Sequence, residues 1–139
     1  TMTSTPLPIP KSDASLLVNE LASVDWIYQK SAGAGFYVYS YLPSVEDYPY
    51  QYLFWWHGHA KYGYVPCEYS TFPRVADFFV PGVKHYQQPQ RPCDRFRFLI
   101  IEPDQNTGTR ESWLTQVQKD TTLLETTNFG SITVEMRKF

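Results

Sequence analysis

Aromatic side chains are concentrated in one stretch of this 139-residue chain, where 17 of its 24 aromatic residues lie between Phe36 and Tyr86. In the segments 36–41 and 50–56, rings occur at both odd and even positions. Successive side chains of a β-strand point to opposite faces, so a strand with this pattern presents aromatic surface on both of them. One face can build the core of a sheet, and the other must be covered by a second layer, a partner or a ligand. The aromatic excess therefore indicates contact more than catalysis.

The order of apolar and breaker residues predicts one domain over 12–139, preceded by a flexible Pro- and Thr-rich arm over 1–11. Apolar residues at helical spacing predict a helix over about 13–28, and a second helix is predicted over about 109–119. Strands are predicted over about 36–42, 50–58, 62–68, 95–102 and from Gly130 onward, with a short helix or irregular packed loop over 72–83.

These elements predict an α+β fold, with an antiparallel or mixed sheet of about five strands and the N-terminal and C-terminal helices packed on one face. The strand 95–102 is apolar on both faces, which predicts a central position in the sheet. In the last strand, Ile132, Val134 and Met136 alternate with polar residues and are expected to face the core.

The charge balance argues against nucleic acid as a partner. The formal net charge is −2, and only 19% of the residues are charged. Phosphate binding requires a basic stripe, whereas the nearest candidate here is a loose group of Arg91, Arg95 and Arg97 with Lys84 upstream. No apolar run is long enough to cross a membrane, so we expect no membrane insertion.

The two cysteines, Cys67 and Cys93, are isolated in the sequence and form no C-x-x-C motif. No charged segment near the N-terminus leads into an apolar run, so we expect no secretory signal and a cytoplasmic or nuclear location. In such a compartment cysteines stay reduced, and we therefore expect two free thiols.

The motif His57-Gly58-His59 raises the alternative of a metal-dependent enzyme. If 50–58 is a strand, the two imidazoles point the same way and share one ion, with His85 as a third ligand. The competing interpretation, which we favour, is that both histidines are structural and that the protein binds no metal or other cofactor. The motifs of nucleophilic catalysis and of phosphate-binding loops are absent from the sequence.

We therefore predict a non-catalytic protein-interaction or self-association module, an accessory, scaffold or viral factor, that acts as a homodimer or binds another protein. Its contact surface is expected to be built from Tyr37, Tyr39, Tyr41, Trp55, Tyr62 and Tyr64. A second alternative is a single-stranded RNA binder, in which bases stack on the rings of Tyr37, Tyr39 and Trp55 and Arg95 or Arg97 binds phosphate.

Overall fold

A computed structural model describes residues 17–41, 48–70, 92–103 and 107–139. The predicted arm over 1–11, the predicted element over 72–83 and His85 lie outside these residues. The helices are α1 (Leu17–Ser31), α2 (Tyr48–Leu53), a π-helical segment (Phe54–Gly58), α3 (His59–Tyr62) and α4 (Thr107–Val117). The strands are β1 (Phe36–Tyr41), β2 (Glu68–Ser70), β3 (Phe96–Ile101), β4 (Thr122–Phe129) and β5 (Ile132–Lys138).

The five strands form one mixed sheet in the order β2-β1-β3-β5-β4. β1 pairs in parallel with both β2 and β3, whereas β5 is antiparallel to β3 and to β4. The predicted α+β class and the mixed five-stranded sheet are thus confirmed. So is the central position of β3, which the apolar residues on both of its faces indicated.

Helices cover both faces of this sheet, which corrects the expectation that they share one face. On the first face, Phe36 and Val38 of β1 pack with Val24 and Ile27 of α1. On the opposite face, Tyr39 and its neighbours on β1 and β3 pack beneath α4, in a cluster formed by Tyr39, Tyr41, Leu99, Trp113 and Val117. The physical reason is that β1 and β3 are apolar on both faces, so each face needs a covering layer.

The segment predicted to be the second strand, 50–58, is helical instead. α2, the π-helical segment and α3 follow one another without a break and form a helical rod over 48–62. The rod ends at Gly63, whose φ of 88° is a left-handed conformation that glycine adopts without strain. The strand predicted over 62–68 is therefore also displaced, since β2 begins only at Glu68.

Strand β4 was missed by the sequence analysis, which placed no element between the last helix and Gly130. Most of its side chains are exposed, so no alternation of apolar and polar residues marks it. A tight connection over Gly130, which has a φ of 60°, joins it to β5. The buried row of β5, Ile132, Val134 and Met136, agrees with the prediction.

Cys67 and Cys93 form a disulfide, so the expectation of two free thiols was wrong. Both residues precede a parallel strand, Cys67 before β2 and Cys93 before β3, and the shared direction of the two strands brings them to the same edge of the sheet. The bridge closes a sequence separation of 26 residues, which in the chain-entropy account stabilises the fold by about 3.5 kcal/mol.

None of the helices in the described part of the chain has the length and apolar character that a membrane crossing requires.

Candidate interaction surface

Among the described residues, the helical rod is buried along one side, which packs on α1 and the sheet through residues at helical spacing. Tyr50, Leu53, Phe54 and Gly58 form this buried side. At Gly58 the rod approaches α1 so closely that a β-carbon would lie 2.5–2.8 Å from ring atoms and the hydroxyl oxygen of Tyr28. Glycine is thus the residue that permits this approach, at the last position of the π-helical segment.

Three large aromatic side chains project from the other side of the rod. Tyr52, Trp55 and Trp56 are 53%, 37% and 51% exposed. Their rings pack on one another: Tyr52 stacks on Trp56 at 5.6 Å between centroids, and Tyr52 meets Trp55 edge-on at 6.1 Å. We call these three residues the aromatic patch. Mutual packing holds the rings in place, so the patch is an ordered surface that a partner can contact without first ordering it.

A polar network joins the rod to α1 next to the aromatic patch. The Asp25 carboxylate accepts hydrogen bonds from Tyr62 Oη at 2.7 Å, His57 Nε2 at 3.0 Å and Lys61 Nζ at 3.3 Å. Burial by itself would raise the pKa of Asp25, but the hydrogen bonds from Tyr62 and His57 outweigh it and lower the pKa below its usual value. Asp25 therefore remains ionised near neutral pH and fixes the His57 ring, which lies 6.1 Å from the Trp56 ring.

The structure separates the six residues predicted to form one contact surface. Tyr39 and Tyr41 are buried under α4, and Tyr64 is buried beside α1, so these three rings belong to the protein's own core. Tyr64 also donates a hydrogen bond to the Ala34 carbonyl oxygen at 3.0 Å. For Tyr39 and Tyr41 the cause is that α4 supplies the second layer that the aromatic strand β1 required.

The other three predicted residues keep some contact with solvent, but they do not lie together. Tyr37 is partly buried and stacks on Tyr39 on the α4 face of the sheet. Tyr62 is partly buried and stacks on Tyr28 at 4.4 Å, on the rod side. Only Trp55 belongs to the aromatic patch.

The geometry proposed for a metal site is not present. His57 and His59 lie two residues apart on a helix, where residues at this spacing do not face each other. His57 is bonded to Asp25, whereas His59 is exposed. Among the described residues, no group of three or more His, Cys, Asp or Glu side chains is placed to hold a metal ion.

The residues proposed for RNA binding are also dispersed. The Arg97 guanidinium donates hydrogen bonds to the carbonyl oxygens of Val117 and Lys119 and so caps the end of α4. It also lies 5.3 Å from the centre of the buried Tyr39 ring. Trp55 lies on the rod, on the other side of the sheet, so these groups form no continuous stacking surface.

Three residues of the candidate surface were not predicted from the sequence: Tyr52, Trp56 and Asp25. Asp25 gives no sequence signal, because its partners lie more than thirty residues away in the chain. Tyr52 and Trp56 fall in the aromatic run, and the strand assignment placed them on a face with the buried Phe54.

Comparisons with protein-family models, with curated proteins and with solved structures gave no match to this chain.

Proposed function

We propose that this protein is a non-catalytic interaction module that associates with a second copy of itself through the aromatic patch of Tyr52, Trp55 and Trp56. The observation that carries the proposal is the exposure of these three rings side by side on one helical rod. Tyr and Trp are the residues that contribute most to the binding energy of protein interfaces, especially where they pack in a cluster. An exposed apolar cluster of this kind marks a contact site in soluble proteins.

The chemistry of the patch supports a protein partner rather than a nucleic acid. The segment 52–58 contains no Asp, Glu, Lys or Arg. It therefore has no positive charge to bind phosphate, and no charge that would repel a protein surface. A twofold dimer places the same patch on both subunits, and each copy then covers the apolar surface of the other.

The experiment that tests this proposal is light scattering coupled to gel filtration on the wild type and the Trp56→Ala variant. Truncation of a central aromatic anchor costs about 2–4 kcal/mol of binding free energy, and because both subunits carry the change, the dimer should be weakened by at least about 30- to 1000-fold. We expect the wild type to elute as a dimer and the variant as a monomer with an unchanged circular dichroism spectrum.

Leu124→Ala is the matched control, because Leu124 is a similarly exposed apolar residue on the edge strand β4. It should leave the dimer intact. If Leu124→Ala dissociates the dimer and Trp56→Ala does not, the interface lies at the sheet edge. A wild type that stays monomeric at its highest soluble concentration would contradict self-association.

The Cys67–Cys93 disulfide also leads us to propose an oxidising compartment in place of the cytoplasmic or nuclear location. Structural disulfides form and persist where glutathione does not keep thiols reduced. Thiol labelling and mass spectrometry of protein recovered from its native cells without reductant should show both cysteines blocked. Two labelled thiols would exclude this proposal.

A further inference from the structure

The topology of the parallel strands creates a crevice outside their carboxyl ends. β1 lies between β2 and β3, so the chain leaves β1 toward one side for β2 and returns to the other side for β3. In open sheets with parallel strands, the connections that leave two neighbouring strands at such a point run to opposite sides. Ligands bind in the crevice between these connections, outside the carboxyl ends of the strands. The N–H of Glu102 donates to the Tyr41 carbonyl oxygen at 2.9 Å, which places Glu102 at this edge, where β1 and β3 end.

Three polar side chains lie where rows of buried side chains on β3, α1 and the rod end at this edge of the sheet. Glu102 continues the alternate positions of Phe98 and Ile100, which face α1. Glu20 precedes the buried Val24 by one helical turn, and Tyr50 precedes the buried Phe54 by one turn. Each of these three polar side chains therefore occupies a position where the pattern of buried residues predicts another core residue.

Among the described residues, no positively charged side chain balances the carboxyl groups of this cluster. Tyr50 is completely buried, and its hydroxyl has no hydrogen-bond partner in suitable geometry among the described residues, although Glu102 lies near it. The ion pairs that the described residues form do not include Glu20 or Glu102. Both carboxyl groups are only partly buried, so a ligand can reach them from solvent.

The pKa values of the two carboxyl groups show the same deficit of positive charge among the described residues. Burial, and then the negative charge of Glu102, raises the pKa of Glu20 to about 7. Burial also raises the pKa of Glu102, while the nearby Tyr50 hydroxyl acts in the opposite direction. When two neighbouring carboxyl groups both have raised pKa values, a cation bound beside them stabilises their ionised forms.

We propose that Glu20, Tyr50 and Glu102 form a binding site for a primary ammonium group at the carboxyl edge of β1 and β3. An ammonium group has three N–H donors, and the four oxygens of the two partly exposed carboxylates accept them, while the buried Tyr50 hydroxyl lies against Glu102 and orients its side chain. Its charge compensates the two carboxylates, which a neutral polyol does not. Two carboxylates alone are a poor site for calcium or magnesium, which take six or more oxygen ligands.

The test is a titration of the folded protein with n-butylammonium chloride at about pH 8 and constant ionic strength, where the carboxyl groups are ionised or close to it. Binding is followed through the carboxyl ¹³C resonances of Glu20 and Glu102. We expect a saturable change confined to these residues and the neighbourhood of Tyr50. Glu102→Gln keeps the shape of the side chain and should weaken binding at least tenfold, and Tyr50→Phe should weaken it to a smaller extent.

Two controls separate specific binding from general attraction of cations. Tetramethylammonium has the charge but no N–H donor, and at equal concentration it should leave both resonances unchanged. Glu111→Gln removes one negative charge from an exposed position on α4 and should leave the affinity unchanged. A non-saturating response, or an equal response in the Glu102→Gln and Glu111→Gln variants, would overturn the proposal.

Two further titrations identify the source of the ligand and test a metal ion in its place. Tighter binding of Nα-acetyl-lysine amide than of n-butylammonium indicates a lysine side chain of a partner, whereas equal binding indicates a small amine; both results support an ammonium site. If calcium chloride produces the saturable change at lower concentration than n-butylammonium, the cluster is a metal site and the proposal is wrong.

Discussion

Strand β1 and the helical rod over 48–62 are both rich in aromatic residues, but the two segments differ in how far their rings are buried. In β1, Tyr39 and Tyr41 are almost completely buried. On the rod, Tyr52 and Trp56 keep about half of their surface exposed. Aromatic content alone therefore does not tell whether a segment builds the core or a contact surface.

The difference lies in the number of layers that cover each segment. β1 is the neighbour of two strands, with α1 and the rod on one face and α4 on the other. The rod itself packs on α1 along one side, and in the described part of the chain no further layer lies over Tyr52 and Trp56. A ring is buried when a second layer exists to meet it, and it becomes a candidate for binding when that layer is missing.

The largest expected effect is on the β1 side of this comparison. Tyr39→Ala removes a buried ring that packs in the cluster with Trp113 and donates a hydrogen bond to Glu68 at 2.6 Å, so it should cost about 3–5 kcal/mol of unfolding free energy. In the same measurement, urea unfolding followed by circular dichroism in dilute solution, Trp56→Ala should cost about 1 kcal/mol or less. Equal losses in the two variants would show that both rings serve the core and would remove the basis for the aromatic patch.

A smaller effect is expected at the contact between the rod and α1. Gly58→Ala would gain about 1 kcal/mol of helix propensity if space were available. The added carbon would instead meet the Tyr28 ring, which is held by stacking on Tyr62 and by a hydrogen bond to the Tyr64 carbonyl oxygen at 2.6 Å. We therefore expect a net loss of about 1–3 kcal/mol, together with altered near-ultraviolet circular dichroism.

Gly63→Ala is the matched control for this variant. Nothing lies within 4 Å of the position its β-carbon would take, but the φ of 88° disfavours alanine. It should cost about 1 kcal/mol through backbone strain and leave the tyrosine packing unchanged. If Gly58→Ala stabilises the protein, the close contact between α1 and the rod is incorrect.

The smallest effect is expected in the polar network beside the aromatic patch. The pKa of Asp25 is lowered in the folded protein, so its contribution to stability is complete above the ordinary pKa of an aspartate and is lost as the pH falls through the lowered value. Asp25→Asn should therefore destabilise the protein by less than about 1 kcal/mol at neutral pH, because the network is close to solvent.

The measurement for this network is the unfolding free energy of the wild type and Asp25→Asn as a function of pH. The difference between the two should shrink as the pH falls below the ordinary pKa of an aspartate and vanish once Asp25 is protonated in both states of the wild type. A difference that persists unchanged in acid would mean that the carboxylate charge is not what holds His57 and Tyr62.

The sequence by itself determined the elements with one clear period. In β5, apolar and polar side chains alternate in the pattern of a strand, β3 is a short apolar run, and the stripe of α1 follows the period of a helix; the structure confirms all three. In the rod, the buried positions Tyr50, Leu53 and Phe54 also have helical spacing, but apolar residues at nearly every other position hide it. A period is readable only when the remaining positions are polar.

Only the tertiary structure decided the helical form of 48–62, the placement of α4 opposite α1, the Cys67–Cys93 disulfide and the gathering of Glu20, Tyr50 and Glu102. Each of these depends on contacts between residues distant in sequence, which local pattern does not encode. The sequence showed that the chain carries more aromatic surface than one sheet face needs. Which rings are exposed in the described part of the chain depends on where a second layer of helices or strands covers them.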